Sequence, residues 1–469
     1  MRNPAGAQMH YLHEVQTAIC MSHEHRPARP WHCVFPANVL YLYKTYKKGY
    51  LMLIKCSISN FFSVKDTLTV DFTAEHIDTA AARALPDNVF EAGGETYLKT
   101  MGIFGPNASG KSGIFKALLF CTRLILDSHL NNEGATFNFM PFKFDGYDEK
   151  PSAFSVNFIC DGTEYEYAFS LNRKEIISES LYYYPGVRKA KIFTRNEQVG
   201  KPKAEIFSFG DGFFVKPMDV AQSTGRTTLF ISRASQMDRK LARRIYAFFQ
   251  SELLVGLPQM PSDYAVDLFK RHKPLLLKAL RMADSDITDI TVRRERAQVS
   301  VPFAPTMIPG LLATAPQTIT RFLTKHSRSP DILFDLYGEE SAGTIQIFSL
   351  LIVLLDICKR GTMLVIDEFD LSLHTELAEF IIAMVHASKG AQLLFTSHNT
   401  NLISMKKFRR DQICFTNKKP DGSTDFYSLF DFKDFRENMD AEKGYLQGRF
   451  DAVPYVASSP EEIRRLFGE

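Results

Sequence analysis

Residues 105–112 read Gly105, Pro106, Asn107, Ala108, Ser109, Gly110, Lys111, Ser112, which satisfies G-x-x-x-x-G-K-[ST] at every fixed position. The chemistry of that spacing is phosphate binding. The glycines let backbone N–H groups turn inward and the following helix adds its positive end. Lys111 reaches the β- and γ-phosphates, and Ser112 holds Mg2+. A glycine turn that merely caps a helix needs neither the Lys-Ser pair nor an apolar strand just before it. Both are here: Lys99 to Phe104 reads as a strand, and Ile114, Phe115, Leu118, Leu119 and Leu124 recur at helical spacing behind the loop.

A second constellation lies far downstream. Met363 to Ile366 is an apolar strand that ends in Asp367 and Glu368. Strand ends on one edge of a parallel sheet converge, so Asp367 is expected to hold Mg2+ with Ser112, and Glu368 to orient or deprotonate the attacking water. Alone, a strand ending in Asp-Glu is often just a turn. A third, Thr396-Ser397-His398, ends another buried strand, where His398 would hydrogen-bond the γ-phosphate or the water. The bland alternative is a satisfied loop histidine.

Ser341, Gly343 and Thr344 open the helix that leads to the acidic strand. Ser341 as an N-cap would explain them fully. The same helix start is also an anion site, which one subunit can present to a γ-phosphate held by another. The basic runs Arg239/Lys240/Arg243/Arg244 and Lys406/Lys407/Arg409/Arg410 read as solvated faces.

Positioning these groups requires an α/β head with a mostly parallel core sheet. Leu53 to Ile58 and Thr67 to Phe72 read as a β-hairpin. Phe154 to Ile159, Tyr165 to Leu171 and Ile176 to Tyr184 alternate like an antiparallel meander. Between about Gln222 and Asp284 the period becomes helical, which we read as an insertion. The expected divisions are an N-terminal extension over 1–51, a first half of the head over 52–221, the helical insertion over 222–284, a second half over 285–435 and a tail over 436–469. In the extension, His10, His13, Cys20, His23, His25, His32 and Cys33 match no zinc-finger spacing. It is expected to be a disordered arm, or sequence upstream of a start at Met52.

The 469 residues, 45% hydrophobic and 23% charged, suffice for a large core. A net charge of +3 offers no bulk case for nucleic acid or an anionic membrane. Seven cysteines without a CxxC pair, and no secretory leader, read as a cytoplasmic chain with reduced thiols. The most apolar run, Phe348 to Ile357, falls short of the ~20 residues that span a bilayer, so no direct membrane insertion is expected.

With these residues in place, the chain from Met52 onward resembles the AAA-type ATPases of bacterial abortive-infection and anti-phage systems. These are relatives of the ABC transporter and chromosome-condensation heads. The resemblance rests on Ile58 to Phe61, the 105–112 loop, Pro141 to Asp145, Glu340 to Thr344, Ile366 to His374, Thr396 to Leu402, Arg409 to Gln412 and Tyr445 to Phe450. It implies an ABC-type P-loop head that takes ATP and Mg2+ and pairs head to tail. Ser341 and Gly343 of one subunit would complete the site built on Lys111, Asp367, Glu368 and His398 of the other. It also implies a separately encoded effector, such as a nuclease, for which the ATPase is sensor and switch. Three rival functions stay open: a DNA-repair clamp using the Arg243/Arg244 patch, a transporter's nucleotide-binding subunit, and an ATP-gated scaffold that binds ATP but scarcely turns it over.

Overall fold

The computed structural model describes residues 51–453 apart from 133, 187, 199, 259, 284, 303–311, 372 and 437, together with 464 and 467; all belong to the unit Pro36–Glu469. The Cys/His-bearing extension and residues 454–463 of the expected tail lie outside the described residues.

Alternating burial builds the first layer. In β2 (Leu68–Asp71), Leu68 and Val70 are buried while Thr69 and Asp71 face water. It pairs antiparallel with β1 (Met52–Ser59), Cys56 opposite Val70, as the predicted hairpin. A small second hairpin follows, β3 (Val89–Ala92) with β4 (Glu95–Leu98). Next, β5 (Thr100–Phe104), buried along its whole length, runs into the 105–110 loop, and α1 (Lys111–Asp127) leaves it. The meander is longer than expected. β6 (Ser152–Cys160), β7 (Thr163–Leu171) and β8 (Ile176–Tyr184) continue into β9 (Ala190–Asn196) and β10 (Phe207–Phe209). Because β6 also pairs with β1, the result is a seven-stranded sheet in the order β10-β9-β8-β7-β6-β1-β2.

The run 222–284 holds the helices α2 (Phe230–Gln236), α3 (Lys240–Ser251) and α4 (Asp263–Met282), yet it is not helical throughout. Between α3 and α4, β11 (Leu253–Val255) pairs parallel with a core strand, Leu254 opposite Leu364. Three apolar residues are too few to show a strand period. The Arg243/Arg244 patch is also not a uniformly solvated face. Arg244 is buried, with Nε donating to Asp161 Oδ2 at 2.7 Å and a guanidinium nitrogen to Glu252 at 3.1 Å. Its charge is consumed inside the fold.

A three-stranded sheet follows, formed by β12 (Ile287–Pro302), β13 (Leu312–His326) and β14 (Ser329–Asp335). The chain then enters α5 (Ala342–Arg360), β15 (Met363–Ile366), α6 (Thr375–His386), β16 (Gln392–Thr396), β17 (Ile413–Lys418), β18 (Thr424–Ser428) and α7 (Ala441–Leu446). By length and a mean hydropathy of 1.8, α5 could cross a membrane, but its middle packs inside the protein, from Ile347 through Ile357.

The core sheet runs β11-β15-β16-β5-β17-β18, parallel except for the β17–β18 pair. Strands buried on both faces, as in β15 and β16, read as continuous apolar runs and want helices on either side. α1 supplies one cover, packing Ile114, Leu118, Cys121 and Ile125 into a core shared with Phe154, Tyr167 and Phe169 of the antiparallel sheet. Gln392 ties the two sheets. Where β1 shifts register between Leu53 and Lys55, its side chain accepts from Leu53 N at 2.9 Å and donates to Leu53 O at 3.0 Å.

Candidate nucleotide site

Five neighbouring strands of the core sheet point the same way, so their C-terminal ends share one edge, where open α/β sheets bind ligands. The 105–112 loop leaves β5, Asp367 and Glu368 leave β15, and Ser397 and His398 leave β16, which lies between the other two. All three predicted constellations therefore meet. A cleft of about 630 Å3 is lined by residues 107–113, Glu368 and His398 and, opposite them, by Phe62, Met140, Phe142 and Phe144.

The glycines of the loop answer to close approach as well as to phosphate. Gly110 has φ 111°, and a Cβ there would lie 2.0 Å from Thr424 Oγ1. At Gly105, φ 152°, a Cβ would lie 2.4 Å from the carbonyl oxygen of Thr416. β17 and β18 thus press on the loop and hold it: Ser109 and Thr416 hydroxyls bond at 2.6 Å, and Thr424 Oγ1 donates to Ser109 O at 3.0 Å. No side chain caps the start of α1 at Gly110, which suits an anion at that end.

Lys111 is only 5% exposed, and its Nζ donates to Gly105 O at 2.7 Å and Pro106 O at 3.0 Å. Burial pushes its pKa down to about 8, against the pull of Asp367 and Glu368. A buried ammonium resting on carbonyls gains from an incoming anion.

At the acidic edge, Thr396 Oγ1 donates to Asp367 Oδ1 at 2.5 Å and accepts from Glu368 N at 2.8 Å. Glu368 adopts φ 49°, a left-handed conformation uncommon outside glycine, with its side chain exposed to the cleft. His398 lines the same cleft, and burial, then Lys111, hold its pKa below the ordinary histidine value; Glu368, Asp370 and Asp367 oppose this. The sequence reading did not single out Thr396. The available signal was a hydroxyl ending a buried strand two residues before His398.

Ser341, Gly343 and Thr344 do not line the cleft. Ser341 Oγ caps α5 by accepting from Thr344 N at 3.1 Å, and it bonds the Thr344 hydroxyl at 2.9 Å. Ser341 itself is exposed.

The opening motif shows how the far wall is built. Asn60, 2% exposed, donates through Nδ2 to Tyr147 O at 2.8 Å and Lys150 O at 2.9 Å, and accepts from Phe142 N at 3.0 Å. It pins the 140–151 segment to the end of β1. Arg409 to Gln412 is structural too: Gln412 bonds the Thr100 carbonyl and Asn88, and Arg410 donates to Phe432 O.

These groups fit ATP with Mg2+. Lys111 is a buried, desolvated cation that a phosphate would neutralise, and the Ser112 hydroxyl and the Asp367 carboxylate are the kind of hard oxygen donors that would hold Mg2+.

Comparison with known proteins agrees with the motifs. A family model described as "AAA domain, putative AbiEii toxin, Type IV TA system" matches residues 101–404. Among curated proteins no match is found. Solved structures to which the chain is similar include an Smc head bound to the C-winged helix domain of ScpA. It is 12% identical with a TM-score of 0.38, covering 84% of this chain and 99% of that one. Another is the SMC head domain from Thermotoga maritima, 15% identical with a TM-score of 0.35, covering 80% and 98%.

Proposed function

Since the chain belongs to the AAA-domain family described as putative AbiEii toxin, Type IV TA system, and is thereby a P-loop ATPase of the AAA/ABC-like kind, we propose a specific activity for it. It is a Mg-dependent ATP hydrolase that assembles head to tail on ATP and acts as sensor and switch for a separate effector in anti-phage defence, in the cytoplasm. The observation that carries the reading is that Lys111, Glu368 and His398 face one cleft while Ser341, exposed at the start of α5, does not. A helix start turned outward is available to a second copy.

In this reading the 107–112 amides and Lys111 bind the triphosphate, and Ser112 and Asp367 hold the metal. Bound Mg2+ supplies neutralisation of phosphate charge. Glu368 takes the proton of the attacking water, and His398, kept neutral, hydrogen-bonds the γ-phosphate. Ser341, Gly343 and Thr344 of a second copy close the site.

The test is a pair of variants. Glu368→Gln should accumulate an ATP-bound dimer or larger assembly in size-exclusion light scattering, and Lys111→Ala should not bind ATP. Parental hydrolysis by both would end the site assignment. The defence role is tested by phage plaquing on cells that carry this gene with its neighbour: protection should vanish with Lys111→Ala, and unchanged protection would refute the switch.

A further inference from the structure

We propose that Thr396 is a positioning residue for both carboxylates of the acidic strand end, so that one hydroxyl sets metal affinity and hydrolysis together. The inference rests on the ATPase reading above.

A hydroxyl has one proton to give and lone pairs to accept with. Here the proton goes to Asp367 Oδ1 at 2.5 Å and a lone pair takes Glu368 N at 2.8 Å, so the same atom touches both acidic residues on opposite sides of its chemistry. The first contact fixes the rotation of the carboxylate expected to hold Mg2+. The second fixes the backbone of the residue expected to activate water, in the left-handed conformation (φ 49°) that aims it.

Thr396 is well built for this. It is 3% exposed, so water does not compete for the hydroxyl. Its χ1 is stiffened by β-branching. Its main chain is held as well, Phe369 N donating to Thr396 O at 3.3 Å and Ser397 N to Ile103 O at 3.1 Å. Those bonds link β15, β16 and β5 at their ends, and a valine would leave them intact while deleting the hydroxyl. Two residues on, His398 enters the cleft, so a shift at Thr396 would be felt by Asp367, Glu368 and His398 alike.

The experiment uses the full chain as parent, Thr396→Val and Thr396→Ser, each checked by its melting temperature. Three quantities are read: affinity for a fluorescent ATP analogue in EDTA, the Mg2+ concentration that half-saturates the Mg-dependent change in that signal, and kcat with KM. For Thr396→Val the Mg-free affinity should stay near the parent's. Its half-saturating Mg2+ should rise, and its kcat fall, by roughly tenfold or more, as for outer partners of a metal ligand. Thr396→Ser should recover most of both. Parental Mg2+ dependence and kcat in Thr396→Val would overturn the proposal. So would a Thr396→Ser as impaired as Thr396→Val, or an equal loss of Mg-free binding, which marks a merely structural tie. If the parent itself neither binds nor hydrolyses ATP, the ATPase reading fails first and this one with it.

Discussion

Lys111 is the residue whose environment most nearly declares its partner: a cation almost out of water, its pKa down to about 8, resting on loop carbonyls. Removing it leaves the loop amides without a counter-charge. Lys111→Ala should weaken ATP binding by at least about a hundredfold, the scale of a charge-assisted contact in a dry site, as measured by calorimetry. Glu368→Gln should act on the other parameter. Binding should hold while kcat falls by roughly 10^2–10^4-fold, as for loss of a general base. His398 gives a pH signature. Its pKa is held below the usual 6.5 by burial and Lys111, so the ring is neutral at physiological pH and protonates only in acid. Turnover should decline on the acid side of pH 6.5 as His398 protonates, and His398→Ala should remove that acid limb.

At the scale of elements, the lining of the cleft is set by contacts far apart in sequence. Asn60→Ala deletes hydrogen bonds of a buried amide to the 140–151 segment, at about 2–4 kcal/mol of stability by urea unfolding, and should loosen nucleotide binding through the wall it holds. A second junction joins the β12–β13 ribbon to the start of α5. His326 bonds Asp286 at 2.8 Å and Glu340 at 2.7 Å, and Glu340 directly precedes Ser341. Burial opposes the charge on His326, but the two carboxylates outweigh it and raise its pKa above 6.5. The folded chain therefore holds this proton more tightly than the unfolded one. The contribution is complete below pH 6.5 and fades as pH rises through the folded value. The urea midpoint of the parent should fall more between about pH 6 and 8.5 than that of His326→Gln. Much of this layer was legible in the sequence: β5, β15 and β16 as buried apolar runs, β1–β2 as a hairpin, and the catalytic candidates at strand ends. What stayed hidden has physical reasons. β11 is too short to show a period, Arg244 reads as solvated until Asp161 and Glu252 are folded against it, and Ser63, Ser109 and Thr424 meet only through tertiary contacts, 361 residues separating Ser63 from Thr424. Ordinary hydroxyl residues carry no local mark of such partners.

The whole-molecule question is whether one chain contains a complete site. The cleft brings together phosphate loop, acidic edge and His398, whereas Ser341 caps an exposed helix start outside it. If a second copy supplies Ser341, a head-to-tail pair has two sites, each mixing parts of both chains, and two different defects become complementary. A Lys111→Ala chain lacks the loop lysine but keeps Ser341; a Ser341→Arg chain keeps the loop but cannot present its helix start. Each alone should be inactive. In a mixed dimer the intact loop of the second meets the intact helix start of the first, so one site of two is whole. Random exchange makes half the dimers mixed, and an equimolar mixture should recover about a quarter of parental turnover if sites act independently. Recovery should depend on total protein concentration and appear only with ATP present, because association is driven by the shared ligand. A mixture as inactive as its parts, under conditions where the parent turns over, would mean that the helix start does not act across chains, and Ser341 would be left with the capping role its own hydrogen bonds already explain.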